Sequence, residues 1–363
     1  MSPAPAAARG LSMPAEWERH EATWLSWPHN VRDWPGRFAP IPWVYAQIVR
    51  RIGQGEKVRL CVGDAAGEAR ARRVLARAGV NLAPVQFHRF PTDRVWNRDS
   101  GPIFVTGGGE KAIARFRFNA WAKYPDHRRD ARLPARAAKA LRVPLLPVVH
   151  GGREVVLEGG AIDVNGRGTL LTTEECLLDP AVQVRNPGFG RADYEQVFRD
   201  VLGARNTIWL GKGIAGDDTH GHVDDLARFV DPRTIVLCQE PDGRDPNHAP
   251  LAENRERLQG ARLEDGSRPE VVALPMPSPV VFDGQRLPAS YANFYVCNAA
   301  VLVPTFNDPK DRVALGILAE LFRDRPVVGI HAVDLVWGLG TLHCLSQQEP
   351  ITPPYVHTVA AAG

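Results

Sequence analysis

Apolar and polar positions follow two alternating periods along this chain. Runs with helical spacing fall at 43–52, 67–78, 128–141, 191–202, 249–260 and 310–322. Between them lie short runs suited to strands, at 58–62, 80–87, 103–105, 112–118, 143–149, 155–164, 169–172, 207–210, 226–230, 234–238, 270–274, 300–304 and 326–330. Turn residues join several of these into hairpins: Gly107-Gly108-Gly109, Asn165-Gly166 and Asp231-Pro232-Arg233. Helices and strands that take turns in this way predict an α/β fold.

Polar residues that interrupt the apolar runs have a spacing of their own. Asp99, Glu158, Asp224, Asn293 and Cys344 lie 59, 66, 69 and 51 positions apart, each beside hairpin strands and then a helix. A period near that length predicts a repeated ββαβ-like unit arranged around an axis, each unit sending one polar residue to a shared centre. The expectation is a single propeller-like catalytic domain over 13–363, preceded by a loose tail at 1–12.

Composition narrows the function classes. A formal charge of +3 over 363 residues, with arginines spread rather than blocked, gives no reason to expect nucleic acid. No apolar run approaches the roughly 18 residues of a membrane span, and the alanine- and proline-rich start has no apolar signal core, so a cytoplasmic placement is expected. The five cysteines include no Cys-x-x-Cys, which argues against disulfides and a structural zinc site. Cys61, Cys176, Cys238 and Cys297 sit in or beside apolar runs and read as core filler; Cys344 does not. The tryptophans near the N-terminus read mainly as core anchors, and Trp96 as either core or pocket wall.

The densest chemistry is at 216–225, where Asp217, Asp218, His220, His222, Asp224 and Asp225 crowd ten positions. If extended, this stretch places His220, His222 and Asp224 on one face. Such a face suits a hydrolytic metal, or a metal-free base working with a distant nucleophile. Suppose the units bring Asp99, Glu158, Asp224, His222 and Cys344 together. Converging carboxylates repel unless a cation enters, and a planar guanidinium with matched donors is the cation that fits best. The thiol of Cys344 could attack its carbon, with His222 passing a proton to departing ammonia and taking one from water.

Five segments then carry a resemblance: Trp96-Asn97-Arg98-Asp99-Ser100-Gly101-Pro102, Leu157-Glu158-Gly159-Gly160, Leu171-Thr172-Thr173-Glu174-Glu175-Cys176-Leu177-Leu178, Gly221-His222-Val223-Asp224 and Leu342-His343-Cys344-Leu345-Ser346-Gln347-Gln348-Glu349-Pro350. In this order, from about Met13 to Pro350, the chain resembles the agmatine deiminases, grouped with bacterial peptidylarginine deiminase among the guanidino-modifying enzymes. The resemblance implies a five-bladed α/β-propeller, the pentein fold, with no metal or organic cofactor. It implies Cys344 as nucleophile, His222 as acid and base, Asp99 and Asp224 as guanidinium clamps, Glu158 as a further active-site carboxylate, and Trp96 along the methylene chain of the substrate. The implied reaction turns agmatine and water into N-carbamoylputrescine and ammonia, a step toward putrescine. Peptidyl or free arginine is the alternative substrate; a metal hydrolase and a propeller that only binds a basic ligand are the rival classes, and a homo-oligomer is left open. The chain departs from the family pattern at Gly338-Leu339-Gly340-Thr341, where Gly-Gly-Gly-Asn is usual, and at His220 and Asp225, where Asp and Asn are usual.

Overall fold

The computed structural model describes residues 6–352. Its architecture is one motif used five times. In each use two antiparallel strands are followed by a helix and a third strand, parallel to the second. Ile103–Gly107 and Glu110–Arg115 pair around the glycine turn, helix Leu133–Leu141 follows, and Leu145–Pro147 returns parallel. Asp163–Val164 and Thr169–Thr173 lead through helix Arg191–Val197 to Asn206–Leu210. Ala227–Phe229 and Thr234–Gln239 lead through His248–Gly260 to Glu270–Pro275. Tyr295–Cys297 and Ala300–Thr305 lead through Lys310–Leu321 to Val327–His331.

The fifth unit is assembled from both ends of the chain. Its first strand is Gln347–Pro350, which pairs antiparallel with His20–Ser26; helix Ile41–Ile52 and strand Lys57–Cys61 complete it, and Val85–His88 adds an edge. A glutamate and three tethers fasten this join. Glu349 accepts from Arg59 at 2.6 and 3.0 Å, from Lys111 at 2.9 Å and from the Trp24 indole at 3.0 Å, so the fifth unit is tied to the strand Glu110–Arg115 beside it.

Helix Ile41–Ile52 forms because one stripe of it is apolar. Ile41–Ile52 buries Ile41, Val44, Tyr45, Ile48, Val49 and Ile52 at i, i+3, i+4 spacing against the central strands, and leaves Arg50 outside. The strands behind it are covered on both faces and therefore read as unbroken apolar runs, as in Val301-Leu302-Val303.

Three expectations are corrected. The segment before Met13 is not loose where it is described: Ala6 and Leu11 are buried, and Ser12 bridges Thr106 in antiparallel fashion. Residues 1–5 of the expected tail lie outside the described residues. The apolar run 155–164 is not one strand: a 3-10 turn at Gly159–Ala161 breaks it, leaving Val156 in an isolated parallel bridge with Arg117 and Asp163–Val164 as a short strand. The stretch 216–225 is not extended either. His220 and Gly221 take φ of +66° and +90°, and Val223–Asp225 is a 3-10 turn. No helix among the described residues is long and apolar enough to cross a membrane.

Candidate active site

Asp99, Glu158, Asp224, Asn293 and Cys344 each stand just ahead of the first strand of a unit, at Ile103, Asp163, Ala227, Tyr295 and Gln347. Equivalent positions in five repeats meet, and the expected spacing has this cause. Asp99 and Cys344 ride on single-turn helices, Asn97–Ser100 and Leu342–Leu345, which pack together. Asp224 sits in the 3-10 turn that replaced the expected strand.

Gly160 marks the point of convergence. A β-carbon there would fall 2.5 Å from His222 Nδ1, 2.8 Å from Asp99 Oδ1 and 3.2 Å from Asp224 Oδ2, so only a glycine lets these three side chains approach. Its N–H donates to Asp99 Oδ1 at 3.1 Å. Asp224 Oδ2 lies 3.8 Å from Cys344 Sγ, which places the thiol in the same cluster. Cys344, Asp99 and Trp96 line a cavity of about 510 Å³ whose mouth is bounded by Asp33, Arg94, Trp121, Tyr124, Asp126, Asp218, Trp337 and Leu339.

His222 is enclosed by acids. Its Nδ1 is 3.7 Å from Asp99 Oδ1 and its Nε2 is 3.7 Å from Glu158 Oε2. Burial disfavours the imidazolium, but Asp99, the Cys176 thiol and Glu158 outweigh it and push the pKa of His222 well above the usual histidine range. Burial also raises Glu158, yet Arg185, at 3.2 Å, and His222 bring it down to about 2. Asp99 has no such arginine; burial lifts it to about 6, with Asp224 and Glu158 adding to the rise against the pull of His222.

Two adjacent carboxyl groups diverge. Burial raises both, but His343, His222 and Arg228 bring Asp224 below the usual range, while Asp224 and Asp217 drive Asp225 further up. Asp224 is therefore the anion and Asp225 the acid of the pair. Cys344 is raised well above the ordinary thiol range by burial and by Asp224, Asp225 and Asp99. Asn293 holds the sulfur, donating from Nδ2 to Sγ at 3.1 Å, while its Oδ1 accepts from Thr341 Oγ1 at 2.7 Å and from the His343 N–H at 3.1 Å.

Backbone strain gathers around the same cavity. Ala120, Trp121 and Ala122 form a left-handed turn with φ of 53°, 58° and 54°, a conformation that costs an L-residue about 1–2 kcal/mol. The turn delivers the Trp121 indole to Asp99 Oδ2 at 3.0 Å, and Gln183, itself at φ 44°, donates to the Trp121 carbonyl at 3.1 Å. Leu339 takes φ 69° in the segment where the family pattern has glycine, and its side chain lies at the cavity mouth.

His220 does not join the site. The left-handed turn of its backbone sends the ring to Asp179, at 2.9 Å, so the alternating His-x-His-x-Asp face does not form. The side chains near enough to share a metal are instead Glu158, Cys176 and His222, or Asp224, Asp225 and Cys344. Trp96 is both core and wall: it is buried beside Trp34, with ring centroids 5.8 Å apart, and also lines the cavity. Cys176 is buried as expected of filler, but it faces His222. Sequence reasoning missed Arg185, Trp121, Glu16 and His343. Only His343, next to the thiol, had a signal in the primary sequence.

Repeated ββαβ units that gather a thiol, an imidazole and several carboxylates at one centre, with the thiol and Asp99 lining a cavity there, define the class: an α/β protein with an acid-rich cysteine site. The chain belongs to the family of Porphyromonas-type peptidyl-arginine deiminases, whose pattern matches residues 12–350. It is 35% identical to the agmatine deiminase of Stutzerimonas stutzeri strain A1501, over 94% of this chain and 96% of that protein. Among solved structures it is similar to the agmatine deiminase of Enterococcus faecalis, with 28% identity, a TM-score of 0.87, and 96% and 98% of the two chains covered. A substrate-bound agmatine deiminase of C. jejuni is also similar, with 28% identity, a TM-score of 0.83 and coverage of 94% and 97%.

Proposed function

We propose that this protein is an agmatine deiminase in which Cys344 is the nucleophile, and that its five units form one catalytic domain with pseudo-fivefold symmetry. The carrying observation is a thiol that lines a cavity beside Asp99 and has an Asp224 oxygen 3.8 Å from its sulfur. The relatives of about one third identity point to agmatine.

Before substrate binds, burial and the carboxylates of Asp224, Asp225 and Asp99 hold the thiol protonated. A guanidinium paired with Asp99 and the unpartnered Oδ1 of Asp224 offsets the field of those carboxylates, so the thiol gives up its proton to solvent and thiolate forms as substrate enters. Sulfur attacks the guanidino carbon, and the C–N bond to one terminal nitrogen breaks as His222 gives that nitrogen a proton. Ammonia leaves, and a thiouronium remains on Cys344. Water, losing a proton to His222, attacks the same carbon; the C–S bond breaks and the ureido product departs. Glu158, held anionic by Arg185, keeps His222 charged for the first step.

The mouth favours an amine tail over a carboxylate tail. Arg94 is held between Asp33 at 2.8 Å and Asp126 at 3.2 Å and keeps its Nε without a partner, while Asp33 keeps one buried oxygen without a partner, and Asp33, Asp99, Asp126 and Asp218 outnumber Arg32 and Arg94 in the lining. An ammonium suits that oxygen, and the α-carboxylate of arginine does not. The test is ammonia release from agmatine, free arginine, peptidyl arginine and methylated arginines. Agmatine is expected to give the highest kcat/KM, with no release by Cys344→Ala. Full activity of that variant, or a clear preference for peptidyl arginine, defeats the assignment.

A further inference from the structure

Beneath the cavity runs a line of buried charge that the reaction sequence above does not use. His343 Nδ1 meets Asp224 Oδ2 at 2.6 Å, and its Nε2 meets Glu16 Oε2 at 2.7 Å. Both ring nitrogens are thus within hydrogen-bond reach of a carboxylate, which fixes the plane of the ring and its position between Glu16 and Asp224. Glu16 in turn accepts from Arg98 Nη2 at 2.9 Å and from the Val296 N–H at 2.9 Å, and pairs with Arg228 at 3.0 Å. Burial opposes the Glu16 anion, but Arg228, His343 and Arg98 hold it well below the usual range. The order is arginines, Glu16, His343, Asp224, with the substrate position next.

We infer that Glu16 and His343 are positioning residues for the guanidinium clamp, anchoring Asp224 by Oδ2 so that this carboxylate stays ionised and its Oδ1 stays available. This rests on the deiminase reading of the cavity. Four neighbouring carboxyl groups compete for protons. Asp99, Glu158, Asp224 and Asp225 share a buried site, and some of them must take up protons. Asp225 accepts from Asn293 at 2.9 Å and has no partner as close as the ring against Asp224, which decides which neighbour carries the charge. The groups that face Asp224 are His343 and Cys344 from Leu342–Leu345, Asn293, His222 and Asp225 from its own segment, Asp99 from Asn97–Ser100, and Arg228 from Ala227–Phe229. Only His343 makes a bond shorter than 3 Å to it among the described residues.

The test is agmatine binding by calorimetry to Cys344→Ala and to Cys344→Ala/Glu16→Gln across acidic to neutral pH. Glutamine keeps an acceptor for Nε2 but removes the carboxylate charge at the far end of the line. Acid is expected to weaken binding in two steps, the upper set by Asp99 at about 6 and the lower by Asp224; in the double variant the lower step is expected to move up by about one pH unit or more, with affinity just above the parent's lower step falling about tenfold. Unchanged affinity and an unchanged lower step, even with a lowered Tm, mark Glu16 as merely structural and overturn the inference while the deiminase reading stands. No binding by Cys344→Ala at any pH overturns the reading and the inference with it. Should Glu16→Gln fail to fold, His343→Gln carries the same expectation and the same refutation.

Discussion

On the proposed reading, Asp99 sets the acid limit of substrate capture. Because burial holds it near 6, a free site below that pH has a neutral carboxyl where the guanidinium needs an anion. The kcat/KM for a guanidino substrate is therefore expected to fall as pH drops through about 6; a flat profile down to pH ~4, the ordinary carboxyl range, contradicts this assignment. Gly160 is the second sensitive residue. Gly160→Ala puts a methyl 2.5 Å from His222 Nδ1, so ring or backbone must shift, and displacement of that size costs about 100-fold in kcat/KM. The fold is expected to survive, as judged by circular dichroism. Cys344, His222, Asp99, Asp224 and Glu158 were legible because each is a polar residue placed at the edge of an apolar run. Glu16 was not: it lies in an ordinary-looking Pro-Ala-Glu-Trp segment, and its partners are 82 to 327 positions away.

At the scale of elements, the hairpins and helices followed from period and turn residues, whereas the loops that shape the site did not. The segment 216–225 shows why. Alternation of histidine and aspartate suits a strand, but Gly221 fits against Glu175, where a β-carbon would meet Oε2 at 2.8 Å, and Asp217 caps the Gly221 and His222 N–H groups at 2.6 and 3.1 Å. Tertiary contact overrode local pattern. The left-handed turn at Ala120–Ala122 had no sequence signal either, since alanine and tryptophan seldom adopt it. Its use is to aim the Trp121 N–H at Asp99. A hydrogen bond to a charged group contributes about 1.5–3 kcal/mol, so Trp121→Phe is expected to lower kcat/KM for agmatine by roughly 10- to 100-fold. Steady-state kinetics would show it, and an unchanged value would mean that the turn has no part in holding the clamp.

At the scale of the molecule, the repeat was readable in the spacing of five polar residues, but the join between chain ends was not, because Gln347-Gln348-Glu349-Pro350 is too polar to resemble a strand. Its polarity has a purpose: Glu349 binds cations from two units. Glu349→Ala leaves Arg59 buried without its anion, a loss of about 3–5 kcal/mol, and Tm is expected to fall on the order of 5–15 °C. Arg59, Lys111 and their hydrogen bonds hold Glu349 below the usual glutamate range despite burial. Its stabilisation is thus present above the unfolded glutamate pKa and lost as pH falls through the lower folded value, so the gap in Tm between wild type and variant should close in acid. On the proposed reading, all five units serve a single act, the meeting of the Cys344 sulfur with a guanidino carbon. The most direct measurement is mass spectrometry of enzyme quenched in acid during turnover of agmatine. The account requires an adduct on the peptide carrying Cys344, in which substrate is joined through carbon after loss of ammonia, and absent in Cys344→Ala. Steady ammonia release with Cys344 unmodified at every quench time, and undiminished in Cys344→Ala, would contradict it.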